Sequence, residues 1–138
     1  MQRLIEEPWS AVALVALVTH LKLFVLASIQ GFTRVKHRRF VKPEDAAHFG
    51  RGAPATEEHP RVVYAQRAIA NELENLPTFA LALVAYAALR GPGAFALAVT
   101  LVFLLARSAH SAFYVRPTQP HRNRAYLLGQ LATLTLLG

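Results

Sequence analysis

Three groups of polar side chains recur at helical spacing in this chain, each set against an apolar run. Arg67, Asn71 and Glu74 stand at i, i+4 and i+7, so a helix stacks all three on one face. Arg107, His110 and Tyr114 follow at i, i+3 and i+7, and Arg122, Tyr126 and Gln130 at i, i+4 and i+8. A cation-rich set with one or two carboxylates suits a polyanionic, zwitterionic ligand. Guanidinium groups clamp carboxylates bidentately, while Glu74 takes an ammonium. An arginine beside a bound thiol would lower its pKa, as cationic neighbours do for cysteine. The chain has no cysteine, so any thiol arrives with a substrate or cofactor, and disulfides and zinc-thiolate sites are excluded. The histidines lack paired spacing with carboxylates on one face, so no metal site is expected. The plainer alternative is that these polar groups pair with one another and hold the helices together.

The elements that carry these groups are apolar blocks. The 138 residues are 54% hydrophobic and 17% charged, against about 45–50% and about 25% in an average soluble domain. The length points to one domain. The first block, 9–29, follows Glu6, Glu7 and Pro8 and is long enough for the ~20 residues of a spanning helix. It is longer than a signal-peptide core and has no small-residue cleavage site, so it reads as a retained helix. His20 and Lys22 interrupt it. Lys22 either snorkels to the interface or forms an ion pair inside a bundle.

A basic run from Arg34 to Lys42 comes next, then Pro43-Glu44-Asp45-Ala46, which reads as a turn opening a short helix. A polar loop follows as far as Pro60. The second block contains the Arg67 face, and Pro77 beyond it should kink the helix or free the Leu73 carbonyl. Gly91-Pro92-Gly93 makes a tight turn, so blocks two and three form an antiparallel hairpin. The fourth begins after Pro120. Expected helices are therefore about 9–36, 61–90, 94–115 and 121–138, with a loop at about 37–60.

The fold class is all-α, an integral membrane four-helix bundle. The net charge of +7 raises nucleic acid, but no nucleic-acid motif is present and the apolar blocks favour cationic flanks against anionic lipid. Both basic loops can share one side only with four spans, which puts them in the cytosol and the termini outside. The polar ends of all four helices then fall at one depth. This predicts a single pocket of Arg34, Arg67, Asn71, Glu74, Arg107, His110, Tyr114, Arg122 and Tyr126.

The stretch Arg67-Ala-Ile-Ala-Asn71-Glu72-Leu-Glu74-Asn75-Leu-Pro77 resembles the MAPEG family, the membrane-associated proteins in eicosanoid and glutathione metabolism. It is most similar to the microsomal glutathione transferase and prostaglandin E synthase branch. Lys22 through Gly31, Arg34, Phe40, residues 43–46, Arg107-Ser-Ala-His110-Ser-Ala-Phe-Tyr114, and Pro120 with Arg122 and Tyr126 extend the match over nearly the whole chain.

The resemblance implies a homotrimer in membrane lipid, with glutathione between subunits near the cytosolic face. Carried over by position, Arg34, Asn71, Glu74, Arg107, His110, Tyr114, Arg122 and Tyr126 would contact it, and Arg122 would stabilise the thiolate. Asp45 matches a loop aspartate implicated in the prostaglandin synthase. Ile69 stands where the nearest relatives carry histidine, Ala70 replaces an arginine of the prostaglandin synthase, and Asn123 replaces its serine. These departures favour conjugation over prostaglandin isomerisation.

Three readings follow. The first is glutathione transfer to, or peroxidase action on, apolar electrophiles and lipid hydroperoxides. The second is a prostaglandin-E-synthase-like isomerisation using Asp45. The third is a non-enzymatic lipid-binding protein of the same fold. The composition, rich in alanine, leucine and arginine, fits a high-GC bacterium and hence its inner membrane.

Overall fold

The computed structural model describes residues 7–50 and 52–138, and these are helical with no strand among them. Helix α1 spans Trp9–His37, α2 is the short Pro43–Asp45 turn continued by a π-turn over Ala46–Gly50, and α3 spans Pro60–Ala88. Helix α4 spans Gly93–Val115 and α5 spans His121–Leu137. The four long helices pack as a bundle in which α4 lies against α5, α1 against α3, and α3 against α4.

Local chemistry sets the ends of these helices. α1 stops at Arg38, a non-glycine residue in the left-handed region (φ 48°), whose N–H returns to the Arg34 and Val35 carbonyls. α3 starts with Pro60 at its first position, where a missing N–H costs nothing, and the His59 side chain caps it by accepting from Arg61 N. Pro77 lies within α3, and the helix continues through it to Ala88. The α3–α4 turn needs Gly91, because a Cβ there would run into the Tyr86 ring. The antiparallel pairing brings both basic loops to one end of the bundle, where His59 and Arg61 share a cavity with Val115 and Arg116.

The core sits toward the other end. Phe79 and Phe103 stack with centroids 3.6 Å apart and planes within 5°. Around them pack Ala11, Val15, Leu83, Ala96, Leu104, Ala132 and Leu136. The many alanines let the helix axes approach closely, as membrane bundles require. Gly129 serves the same purpose for α5, since a Cβ there would lie 3.0 Å from Cδ of Arg107.

The outward face is apolar: Phe24 is 66%, Leu81 70% and Leu105 71% exposed. A soluble domain does not leave such a belt open to water. Helices α1 and α4 are each long and apolar enough to cross a membrane. Only 17% of α1's apolar window is buried, unlike the core helix of a soluble protein. The chain is a membrane protein.

Candidate functional site

The bundle interior holds three charges. Glu72 lies on the buried stripe of α3 with Ala65, Ala68, Phe79 and Leu83 and is itself inaccessible. Lys22 Nζ of α1 lies 2.6 Å from Glu72 Oε1. Arg107 Nε of α4 donates to Glu72 Oε2 at 3.2 Å, and its Nη2 donates to Asn71 Oδ1 at 2.7 Å and to the Asn71 carbonyl at 2.9 Å. Lys22 therefore takes the ion-pair alternative and does not snorkel. Three helices meet at one carboxylate, with two cations against it, and Arg107 Nη1 has no acceptor among the described residues. In a low-dielectric interior this surplus cation makes the neighbourhood favourable to an anion.

A second cluster forms where α4 ends and α5 begins. His110 is buried, and its Nδ1 lies 2.9 Å from the Arg122 carbonyl oxygen. The His110 ring meets Tyr114 edge-on at 5.1 Å and Tyr126 at 5.8 Å. The Arg122 guanidinium lies over the Tyr114 ring, 4.7 Å from its centroid. With the Gln119 amide turned so that its oxygen faces Arg122, that oxygen accepts from Nη2 at 2.6 Å. Arg122 is thus half-buried, held on one side and accessible on the other. His110 Nε2 is buried without a partner among the described residues.

The remaining expected residues fall elsewhere in a single chain. Arg34 donates to Glu58 Oε1 from Nε at 3.0 Å and from Nη2 at 2.6 Å, tying the loop to α1. Arg34 and Asp45 line one cavity of about 380 Å³ with Ser28, Phe40 and Phe49. Arg67 and Glu74 are exposed on the outer face of α3, with no side-chain partner among the described residues. Below them Gln130 Nε2 of α5 donates to Asn75 Oδ1 at 2.5 Å. One chain therefore brings together His110, Tyr114, Arg122 and Tyr126, and separately Asn71 with Arg107. It leaves Arg67 and Glu74 facing outward.

Sequence reasoning missed Glu72 and Glu58. Glu72 was findable, because it is spaced at i+4 and i+7 from Ala68 and Ala65 and at i−7 from Phe79, on the apolar stripe. A carboxylate there needs a buried cation, and Lys22 needs a buried anion. Glu58 carries no such signal, since its partner lies 24 residues away across a loop.

An apolar helical bundle with a buried ion trio and a cation–aromatic cluster at its basic end is a membrane protein built around a polar, anion-receptive site. The chain belongs to the MAPEG family, whose model matches residues 12–138. It is 35% identical to microsomal glutathione S-transferase 1 of Rattus norvegicus over 122 residues, covering 83% of this chain and 77% of that protein. Against the same transferase of Sus scrofa it is 33% identical over 138 residues, covering 95% and 87%. Against prostaglandin E synthase of Homo sapiens it is 35% identical over 113 residues, covering 80% and 73%. The family suggested by the motif around Arg67 to Pro77 is therefore the family of the whole chain.

Proposed function

We propose that this protein is a membrane-bound glutathione transferase acting on apolar electrophiles or lipid hydroperoxides, with Arg122 stabilising the thiolate. The observation that carries this reading is the pose of Arg122. Its backbone is tied to His110 and its guanidinium rests on Tyr114, so a fixed positive charge stands at the bundle's basic end with one face free. Relatives named glutathione S-transferase support the cofactor.

The donor set fits glutathione. Arginines suit its two carboxylates, Glu74 suits its ammonium, and the trio's surplus cation favours an anion nearby. Glutathione would supply the nucleophilic thiol. Arg122 lowers the thiol pKa, Arg34, Arg67, Asn71 and Glu74 bind the tripeptide, and His110, Tyr114 and Tyr126 hold the arginine in register. Arg107 acts from within, fixing Asn71.

Exposure of Arg67 and Glu74 supports a homotrimer. Charges on a helix at membrane depth are costly against lipid and are normally turned to a protein interior or wet cavity. A neighbouring subunit over this face of α3 would meet that need and complete the site. Four spans with both basic loops in the cytosol agree with this arrangement and with the charge distribution.

The deciding experiment titrates glutathione into detergent-solubilised protein and follows thiolate absorbance near neutral pH. A saturable signal that is lost in Arg122→Ala supports the proposal. An unchanged signal moves the role to another arginine. Absence of any binding by calorimetry favours a non-enzymatic, lipid-binding protein. The cavity shared by Arg34 and Asp45 favours a second reading, a prostaglandin-E-synthase-like isomerisation, which substrate profiling of Asp45→Asn separates from conjugation.

A further inference from the structure

Between α1 and α4, on a side of the bundle away from the Arg122 cluster, runs a groove of about 570 Å³. Leu21, Val25 and Ile29 of α1 and Ala112 and Val115 of α4 give it apolar walls. At the basic end it meets a second cavity of about 420 Å³, walled by His59, Arg61, Tyr64 and Arg116. Arg61, Val115 and Arg116 belong to both, so the two spaces form one continuous track.

The track changes character along its length. Its deep part is mainly aliphatic, with Lys22, Ser108 and Ser111 also in the lining, and it opens along two helices that are apolar enough to span a membrane. Its shallow part gathers two guanidinium groups, a phenol and an imidazole, and no carboxylate lines either cavity. Arg61 and Arg116 are exposed, and neither guanidinium has an acceptor among the described residues. Two other arginines of the bundle, by contrast, are matched: Arg34 has Glu58, and Arg107 has Glu72 and Asn71. Two unpaired guanidiniums at the mouth of an aliphatic groove are complementary to an anion carrying a long chain.

We infer that this track binds an anionic phospholipid, with its phosphate between Arg61 and Arg116 and one acyl chain along the α1–α4 groove. A phosphodiester suits the mouth better than a carboxylate. Its oxygens, with those of the headgroup, engage two planar guanidinium forks, while the Tyr64 hydroxyl and the free nitrogen of His59 add neutral contacts. The groove floor includes Lys22, so an occupied track seals the outer side of the ion trio against water.

The test needs no glutathione. Wild-type protein is exchanged into mixed phosphatidylglycerol and phosphatidylcholine, and retained lipid is read by native mass spectrometry. Selective retention of phosphatidylglycerol is expected. It should fall about thirtyfold in Arg61→Gln/Arg116→Gln, in line with about 1 kcal/mol for each of two basic residues at an anionic surface. Ala112→Trp should lower retention comparably without changing charge, because it fills the groove. Arg38→Gln/Lys42→Gln, an equal charge loss at the α1 end of the first loop and outside both cavities, should leave retention unchanged.

Equal losses in both charge variants would overturn the proposal in favour of general surface attraction. So would undiminished retention in Ala112→Trp, displacement of phosphatidylglycerol by equimolar oleate, or a change of oligomeric mass in Ala112→Trp. The last outcome would make the groove a subunit interface.

Discussion

His110 Nδ1 and the carbonyl oxygen of Arg122 lie 2.9 Å apart, so one ring nitrogen joins the end of α4 to the first turn of α5. A carbonyl only accepts, and Nδ1 therefore carries the proton and leaves Nε2 as the acceptor. The same ring packs against Tyr114, on which the Arg122 guanidinium rests. Backbone and side chain of one arginine are thus held by two residues of a neighbouring helix.

That arrangement gives a first prediction. His110→Phe keeps the ring stack and removes the donor, leaving the Arg122 carbonyl unpaired. It should cost about 1–2 kcal/mol of stability and should weaken thiolate formation more than glutathione binding. His110→Asn, which can return an N–H to that carbonyl, should recover part of both. Thermal unfolding in detergent and thiolate absorbance read the two effects separately.

Glu72 and Glu74 should behave oppositely, although only Leu73 separates them. Glu72→Gln leaves Lys22 and Arg107 facing one another in the interior. Breaking a buried ion pair from one side costs about 3–5 kcal/mol. Lys22→Met in the Glu72→Gln background should recover much of that loss by removing the stranded charge. Glu74→Gln, on the exposed face, should stay within about 0.5 kcal/mol of wild type and instead weaken glutathione binding. Chemical unfolding and calorimetry test the pair.

The loop following α1 should loosen in mild acid. His59 stacks on His37 with ring centroids 4.2 Å apart. Partial burial lowers its pKa below the ordinary histidine value, with repulsion from His37, Arg39 and Arg61 acting the same way. The folded state therefore binds fewer protons than the unfolded one just below pH 6.5. The contribution of His59 is complete above that pH and is lost as pH falls through the folded pKa. Protonation also removes its acceptance from Arg61 N, the cap of α3. Hydrogen-exchange protection across residues 52–62, corrected for the intrinsic pH dependence of exchange, should fall between pH 7.5 and 5, and His59→Phe should flatten that dependence.

Much of the fold was legible because apolar blocks of spanning length, broken by glycine, proline and basic runs, leave few arrangements. The bundle and the membrane follow from that pattern, and the family follows from the motif around Asn71. The partners within the bundle were less legible. Spacing identifies which residues share a face of one helix but not which face turns inward. Arg67 and Glu74 share an exposed face, whereas Asn71 between them reaches Arg107 in the interior. Two residues along a helix turn about 200°, so Glu72 points the other way, into the interior. Arg107 was expected at a ligand and lies on Glu72, because an inter-helix ion pair depends on the register of two helices that neither sequence segment carries alone.

Gly129 has a bearing on how this protein is made. Its missing Cβ lets α5 close over the stem of Arg107, yet α5 leaves the ribosome after α1, α3 and α4. The ion trio must therefore pair among α1, α3 and α4 while its outer wall is still missing. α5 begins with His121, Arg122, Asn123 and Arg124, a costly start for a helix entering a bilayer unaided. Helices α3 and α4, made before it, offer it a surface to dock on. The order of synthesis is in that sense built into the order of packing, and the helix that carries Arg122 closes over helices made before it.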